Sequence, residues 1–213
     1  MLERPTPKYT MYDRNVENAT AFILAGGKSS RMGADKAFLE LGGRTLLARA
    51  LQVAETVAQR ISIVGDRTKL EALGAVVDDI YPACGPLGGI HAALLSTMTE
   101  FNLILAVDLP FAGPEFLKYL LSEAVHTNAM VTVPRVAGFF QPLCAVYRKG
   151  FAAVAERSLQ AGKNKIDPLF RDVNTRVIEE DELTGAGFTT QIFRNPNTPV
   201  EWQEAKMEFE KKS

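Results

Sequence analysis

Short runs of apolar residues alternate along the chain with longer stretches in which apolar residues recur at helical spacing. The short runs predict strands, at residues 20–25, 61–64, 75–77, 102–107, 129–133, 144–147, 176–178 and 189–193. The longer stretches predict helices, at residues 45–59, 71–73, 90–98, 114–124, 151–159, 168–173 and 200–210. Strands that alternate with helices are typical of an α/β fold with a mostly parallel sheet, here with 144–147 as an antiparallel strand.

Glycine or aspartate follows several of the predicted strands. Gly26 follows the first strand, Gly65 the second, and Asp78 and Asp79 the third. Because ligands of parallel sheets lie beyond the carboxyl ends of the strands, we expect these residues at a binding site.

The most apolar run, 102–107, predicts the central strand, and Asp108 follows it directly. A carboxylate at the tip of a buried strand is costly unless a cation meets it. Mg²⁺ bound to a triphosphate is the natural partner, since this ion takes one or two carboxylates together with phosphate oxygens. The alternative is that Asp108 caps the helix that begins near Pro114, although Pro110 and Gly113 separate the two.

Composition narrows the class of protein. The 213 residues include 24 Lys and Arg against 25 Asp and Glu, a net charge of −1, so no nucleic-acid partner is expected. Cys84 and Cys144 stand far apart without a C-x-x-C motif, which indicates reduced thiols. No apolar stretch approaches the roughly 20 residues that span a bilayer. The first residues lack the apolar region of a signal peptide, and we expect a cytoplasmic protein with no membrane partner.

Two domain-level segments are expected. Residues 1–18 carry Pro5, Pro7 and scattered charges without periodicity, which predicts a flexible N-terminal extension. Residues 19–213 are of a length that suits one α/β domain.

The turn after the first strand is rich in glycine and in cations. Gly26 and Gly27 are followed by Lys28, Arg31 and Lys36, a composition suited to a nucleoside triphosphate. A Walker A motif would need glycine where Phe22 stands, and a dinucleotide fingerprint would need its second glycine where Lys28 stands. Neither of these phosphate loops is present.

Residues 24–36 resemble the L-A-G-G-x-S-x-R-M-G-x-D-K signature of nucleotidyltransferases, most closely that of the molybdenum cofactor guanylyltransferases. Three further segments are similar to segments of that family: G-P-L-x-G at Gly85, D-x-P-[FY] at Asp108 and N-x-N-T-P-x-[ED] at Asn195. The resemblance spans about residues 20–205. It implies a Rossmann-like three-layer αβα fold, the nucleotide-diphospho-sugar transferase fold, and transfer of GMP from GTP to molybdopterin with release of pyrophosphate.

The resemblance also implies a set of site residues. The catalytic residues would be Arg31, Lys36 and Asp108, with Asp108 binding Mg²⁺. The residues that bind GTP would be Leu24, Ala25, Gly26, Gly27, Lys36, Asp79 and Asp108. Further candidates are Asp66, Gly88, Asn195 and Asn197. Arg31 would hold the leaving phosphates and Lys36 the α-phosphate, where charge builds in the transition state.

Three alternatives stay open at this point. Relatives that use CTP usually have L-A-A-G where this chain has Gly26, and sugar-phosphate nucleotidyltransferases are usually longer. A nucleotide-binding protein without turnover would lack a cation or the metal ligand, whereas Arg31, Lys36 and Asp108 are all present. The guanylyltransferase interpretation is compatible with a monomer or weak oligomer and with a transient contact to the machinery that inserts the cofactor.

For three other residues the sequence predicts only how far the side chain is buried. His91 is expected to be a partly exposed helix residue, because no partner spacing supports metal or acid–base chemistry. Phe139 and Phe140 are expected in the core.

Overall fold

The computed structural model describes residues 19–26 and 35–210. The strands are β1 Ala19–Leu24, β2 Glu40–Leu41, β3 Arg44–Thr45, β4 Arg60–Val64, β5 Val76–Val77, β6 Phe101–Ala106, β7 Val131–Val136, β8 Phe139–Phe140, β9 Cys144–Arg148 and β10 Thr175–Glu179. The α-helices are α1 Leu46–Glu55, α2 Arg67–Leu70, α3 Pro86–Ser96, α4 Pro114–Val125, α5 Phe151–Gln160, α6 Glu180–Gly185 and α7 Pro199–Glu210. Short 3₁₀ helices lie at Lys36–Phe38, Asp167–Arg171 and Thr190–Phe193. The extension expected at 1–18 lies outside the described residues.

The main sheet has the strand order β10-β7-β9-β6-β1-β4-β5, with β8 paired to β7. β1 pairs in parallel with both β4 and β6, and β9 is antiparallel to β6 and β7. The predicted mostly parallel sheet with an antiparallel strand is therefore confirmed, and β6 is its central strand. The strands β2 and β3 form a separate antiparallel ribbon.

The strand order of the sheet changes direction at β1. It adds β4 and β5 on one side of β1 and then β6 on the other. In open α/β sheets such a reversal opens a crevice at the carboxyl ends of the two diverging strands, where ligands bind. In this chain that crevice lies beyond Leu24 of β1 and Ala106 of β6.

Helices cover both faces of the sheet, which gives the predicted three layers. Along β1, Ala21 and Ile23 belong to one hydrophobic cluster, whereas Phe22 and Leu24 belong to the other. The first cluster contains buried side chains of α1, α4 and α7, including Leu46, Leu47, Phe116, Leu117 and Trp202. The second contains those of α3 and α5, including Leu87, Ile90, Leu94, Phe151 and Ala155. Because β1 is buried on both faces, its residues 21–24 are continuously apolar rather than alternating.

A buried polar group, here called the threonine cluster (Thr20, Thr97 and Thr99 with Asn102), lies at the amino ends of β1 and β6. The hydroxyls of Thr20 and Thr99 are 2.8 Å apart, and those of Thr97 and Thr99 are 2.9 Å apart. The Asn102 amide donates to the carbonyls of Thr99 at 3.2 Å and of Tyr147 at 3.3 Å. These bonds join the turn before β6 to two strands, at the end of the sheet opposite to the crevice.

Two predicted elements are wrong. The short helix expected at 71–73 lies instead at Arg67–Leu70, because Asp66 caps it by accepting a hydrogen bond from the Thr68 amide at 3.0 Å. The strand expected at 189–193 is a 3₁₀ helix. Its apolar residues Ile192 and Phe193 pack against the helical layer instead of pairing in the sheet.

Both cysteines are free thiols, as expected. Among the described residues, the helices are too short or too polar to cross a membrane.

Candidate active site

Asp108 lies just beyond the carboxyl end of β6, at the crevice. Its carboxylate oxygen Oδ2 accepts a hydrogen bond from the Asn195 amide at 2.6 Å and lies 3.4 Å from Lys36 Nζ. The cap residue of the following helix, α4, is Gly113. Asp108 is therefore not the helix cap that the sequence left open as an alternative, and its side chain is available to the crevice, with 27% of its surface exposed.

Lys36, at the end of the glycine-rich motif, contacts the two asparagines that precede α7. It begins a 3₁₀ helix that Asp35 caps, since the Asp35 side chain accepts from the Ala37 amide at 3.2 Å. Its ammonium donates to Asn195 Oδ1 at 3.1 Å and to Asn197 Oδ1. Four predicted residues that are up to 161 positions apart in sequence therefore converge at one point.

The segment that carries Asn195 and Asn197 is held in place by hydrogen bonds at the start of α7. Thr198 and Glu201 form a capping box, with the Thr198 amide 3.0 Å from Glu201 Oε2 and the Glu201 amide 3.2 Å from Thr198 Oγ1. Glu201 also accepts from the Asn197 amide at 2.8 Å. These bonds orient both asparagines towards Lys36.

An arginine that the sequence analysis did not single out supports the same segment. The Arg194 guanidinium lies 4.7 Å above the ring centre of Phe111, three residues after Asp108, and donates to Glu208 at 3.1 Å. The arginine thereby links the segment before Asn195 to the loop after β6 and to α7. In the sequence, Arg194 could have been found from its position directly before the N-x-N-T-P motif.

A second group of predicted residues surrounds the carboxyl ends of β1, β4 and β5. The Ala25 amide donates to the Val64 carbonyl at 3.0 Å, and the Val107 amide donates to the Leu24 carbonyl at 3.1 Å. These bonds place the start of the glycine-rich loop between β4 and β6. Gly26 lies beside Gly65, and a β-carbon built on Gly26 would be 3.8 Å from the Gly65 Cα, an ordinary van der Waals contact.

Asp79 faces the beginning of α3. A β-carbon built on Gly88 would lie 2.9 Å from Asp79 Oδ1 and 3.1 Å from Oδ2, so glycine permits this contact. The Tyr81 amide donates to Asp79 Oδ1 at 3.0 Å. Burial raises the pKa of Asp79, and the Tyr81 hydrogen bond and the charge of His91 oppose this rise.

Asp66 has a structural role in this arrangement. It caps α2 and accepts from the Thr68 hydroxyl at 2.6 Å, a bond that lowers the pKa of Asp66. Of the remaining candidates, Gly27 and Arg31 lie outside the described residues, and their contribution stays a prediction.

Comparison with known proteins identifies the family of the chain. The model of the MobA-like NTP transferase domain matches residues 21–177. The chain belongs to this family.

Two relatives and a solved structure show how far the similarity to members of the MobA-like family extends. A probable molybdenum cofactor guanylyltransferase of Pelotomaculum thermopropionicum is 36% identical over 191 residues, which cover 89% of this chain and 92% of the relative. A molybdenum cofactor guanylyltransferase of Desulfosudis oleivorans is 33% identical, covering 90% and 96%. The crystal structure of molybdopterin-guanine dinucleotide biosynthesis protein A from Archaeoglobus fulgidus is similar with a TM-score of 0.80 and 26% identity, covering 90% of this chain and 99% of that one. The nucleotidyltransferase resemblance and the fold expected from it are confirmed.

The possible metal ligands of this MobA-like site are few. Within residues 19–26 and 35–210, no group of three or more His, Cys, Asp or Glu is arranged to hold a metal ion. Asp108 has one oxygen, Oδ1, without a hydrogen-bond partner among those residues, while Oδ2 is occupied by Lys36 and Asn195. One available carboxylate oxygen fits Mg²⁺, which keeps several waters and takes most other ligands from substrate phosphates.

Two expectations about single residues are wrong. His91 is 1% exposed instead of partly exposed, because the loop between β5 and α3 covers it. Phe139 is 72% exposed at the tip of the β7–β8 hairpin, where Ala137 and Gly138 adopt positive φ. Phe140 packs edge-on against Phe170, with ring centres 5.1 Å apart, as a core residue would.

Proposed function

We propose that this chain transfers GMP from GTP to molybdopterin, giving the guanine dinucleotide form of the cofactor and pyrophosphate. The observation that carries this proposal is the convergence of Lys36, Asp108, Asn195 and Asn197 at the crevice between β1 and β6. A cation, a carboxylate and two amides at the carboxyl edge of a sheet suit a triphosphate and a phosphorylated acceptor. The names of the relatives support the choice of guanine and molybdopterin.

GTP binds along the carboxyl ends of β5, β4 and β1, with its base near α3. Leu24, Ala25 and Gly26 present backbone groups to the nucleotide, because β1 ends there between two parallel strands. Gly88 leaves the space in which Asp79 reaches the base. A carboxylate accepts hydrogen bonds from both N1–H and the 2-amino group of guanine, whereas the corresponding edge of cytosine carries acceptors that it would repel.

The phosphates of GTP extend from the base towards Lys36. Lys36 contacts the α-phosphate, and Arg31 and Gly27 of the glycine-rich loop contact the leaving β- and γ-phosphates. A terminal phosphate oxygen of molybdopterin forms a bond to the α-phosphorus of GTP as the bond from that phosphorus to the leaving pyrophosphate breaks. Both reactants are anions, so these cations act by positioning them and by reducing their repulsion.

Asn195 and Asn197 hold Lys36 in place without neutralising it. Their side-chain oxygens accept from the ammonium but carry no charge, so among the described residues Asp108 is the one carboxylate paired with Lys36. The Asn195 amide at the same time orients Asp108 through its 2.6 Å bond to Oδ2. Oδ1 of Asp108 would then be the oxygen that holds a metal ion.

Asp108 holds Mg²⁺ in this proposal. When bound, the ion would neutralise charge on the phosphates of GTP. The protein acts in the cytoplasm as a monomer or weak oligomer, without nucleic acid or membrane. Asp66 contributes by stabilising α2, whose Lys69 lies 3.6 Å from Asp35 beside Lys36.

The proposal is tested by thermal unfolding with GTP, CTP, ATP and UTP, each with and without Mg²⁺. A ligand at 100 times its dissociation constant adds about 2.7 kcal/mol to the stability of the folded state. For a chain of this length that corresponds to a rise in Tm of roughly 5–11 °C. We expect this rise with GTP alone, and we expect Asp108→Asn to abolish the part that depends on Mg²⁺.

Turnover is measured by release of pyrophosphate from GTP in the presence of molybdopterin. Lys36→Met should lower kcat by about 10²–10³-fold, the usual cost of losing a donor to transition-state charge. Lys163→Met is the matched control, because Lys163 is an exposed lysine in the turn after α5. Stabilisation by CTP instead of GTP would contradict the choice of nucleotide, and no response to any nucleotide would refute the proposed function.

A further inference from the structure

His91 is a buried titratable residue that the proposed reaction does not use. It lies on α3 and is 1% exposed. Its nitrogens Nδ1 and Nε2 are both without a hydrogen-bond partner among the described residues. Buried polar side-chain atoms nearly always have a partner, so this imidazole needs an explanation. A leucine would fill a similar space without leaving polar atoms unpaired.

The surroundings of the imidazole connect it to the base end of the proposed GTP site. Its ring lies edge-on to Tyr81, with ring centres 5.2 Å apart and an angle of 69° between the planes. Gly88 precedes His91 by three residues, so the two positions lie side by side on one face of α3. That face is turned to Asp79, whose carboxylate oxygens would be 2.9 and 3.1 Å from a β-carbon on Gly88.

The two oxygens of Asp79 differ in their partners. Oδ1 accepts from the Tyr81 amide at 3.0 Å, whereas Oδ2 has no hydrogen-bond partner among the described residues. The imidazole is close enough for its charge to lower the pKa of Asp79 against the effect of burial. A buried donor without an acceptor therefore lies near a carboxylate oxygen without a donor.

We propose that His91 is a positioning residue that donates a ring N–H to Asp79 Oδ2 in the GTP-bound site. With Tyr81 on Oδ1 and His91 on Oδ2, the carboxylate is fixed in one plane. Each oxygen has two lone pairs, and each thus keeps one for guanine, one for N1–H and one for the 2-amino group. This inference rests on the proposed function, because it concerns how the same site selects guanine.

The test compares GTP with ITP, which lacks the 2-amino group, in the wild-type protein and in His91→Leu and His91→Gln. We expect His91→Leu to reduce the ratio of kcat/KM for GTP to that for ITP by about 10-fold, the effect of one hydrogen bond to a charged group. The change should be in KM for GTP, with kcat within about twofold of wild type. His91→Gln keeps an N–H donor and should restore most of the ratio.

The only other histidine of the chain provides a matched control. His126 is exposed at the end of α4, where Nδ1 lies 2.7 Å from the Ser122 carbonyl oxygen. His126→Leu should leave the ratio unchanged. A purely structural role for His91 would change stability and kcat for both nucleotides equally, and would not separate GTP from ITP.

A second measurement follows the imidazole directly, and its deciding comparison needs only the wild-type protein. In the ¹⁵N spectrum of the wild-type imidazoles, GTP should give His91 a hydrogen-bonded ring N–H, and Asp79→Asn should abolish the change. Identical His91 signals with and without GTP would overturn the inference, as would an unchanged GTP/ITP ratio in folded His91→Leu. A wild-type protein that does not prefer GTP to CTP would overturn the proposed function itself, and this inference with it.

Discussion

Replacing Gly88 with alanine places a methyl group directly at the base end of the proposed site. The new β-carbon would be 2.9 Å from the Tyr81 carbonyl oxygen and 2.9 Å from Asp79 Oδ1. Contacts under 3.0 Å are not tolerated, and ordinary contact begins at 3.4 Å. Both distances fall short of the 3.4 Å at which ordinary contact begins, so both neighbours must shift. Asp79 can rotate away, but the Tyr81 carbonyl is backbone and moves only with its loop.

The effect of Gly88→Ala on the stability of the folded protein has two opposing parts. Overpacking of this kind costs about 1–3 kcal/mol, while alanine in a helix is favoured over glycine by about 1 kcal/mol. The net loss of stability is therefore about 0–2 kcal/mol, or a fall in Tm of roughly 0–8 °C for a chain of this length. Displacement of Asp79 removes hydrogen bonds of a charged group, worth about 1.5–3 kcal/mol, and the dissociation constant for GTP should rise roughly 10- to 150-fold.

Gly89→Ala in the same helix is the matched control. Its β-carbon would meet Val64 at 3.4 Å and Leu24 at 3.6 Å, both at the ends of apolar side chains. It should keep GTP affinity within about threefold of wild type and gain up to about 1 kcal/mol of stability. Thermal unfolding and calorimetric titration of GTP measure both quantities. Wild-type GTP affinity in a folded Gly88→Ala protein would refute the placement of the base beside Asp79.

Three further predictions concern stability and reactivity away from that contact. Thr99→Val removes the central hydroxyl of the threonine cluster and leaves its neighbours unsatisfied, so unfolding free energy should fall by about 1–3 kcal/mol in denaturant titrations, and less in Thr99→Ser. Hydrogen bonds from Arg176 lower the pKa of Glu182, so the stability that Glu182 adds is full above its ordinary pKa of 4.5 and is lost as the pH falls through the lower folded value. Wild type and Glu182→Gln should accordingly differ in unfolding free energy at pH 6 and converge as the pH falls towards 3. Burial raises the pKa of Cys144 to about 12, so in a Cys84→Ser background the native protein should resist thiol alkylation at pH 8 and react only when unfolded.

Each of these has a result that would contradict it. Equal losses in Thr99→Val and Thr99→Ser would mean that packing, and not the hydroxyl, stabilises the amino end of the sheet. A constant difference between wild type and Glu182→Gln from pH 6 to pH 3 would exclude the ion pair as its source. Rapid alkylation of native Cys144 would show that β9 opens locally.

The order of elements and the site loops follow from local sequence. The apolar run of β1 is followed by Gly26, and Asp108 follows the most apolar run of the chain, so both strand ends are visible in the sequence. Caps also act over a few residues, so the start of α7 at Pro199 could be predicted from Thr198 and Glu201. By contrast, the sequence indicated Asp66 only as a site candidate, although it is the residue that caps α2 at Arg67–Leu70.

The sequence by itself determined the α/β class, the strand ends that carry the site and the family, since periodicity, turn residues and motifs are local properties of the chain. Only the tertiary structure decided which of those residues meet. Lys36 and Asn197 are 161 positions apart, and their contact depends on packing α7 against the sheet. Burial is decided in the same way, because whether a helix residue such as His91 is covered depends on a loop from another part of the fold and not on its own neighbours.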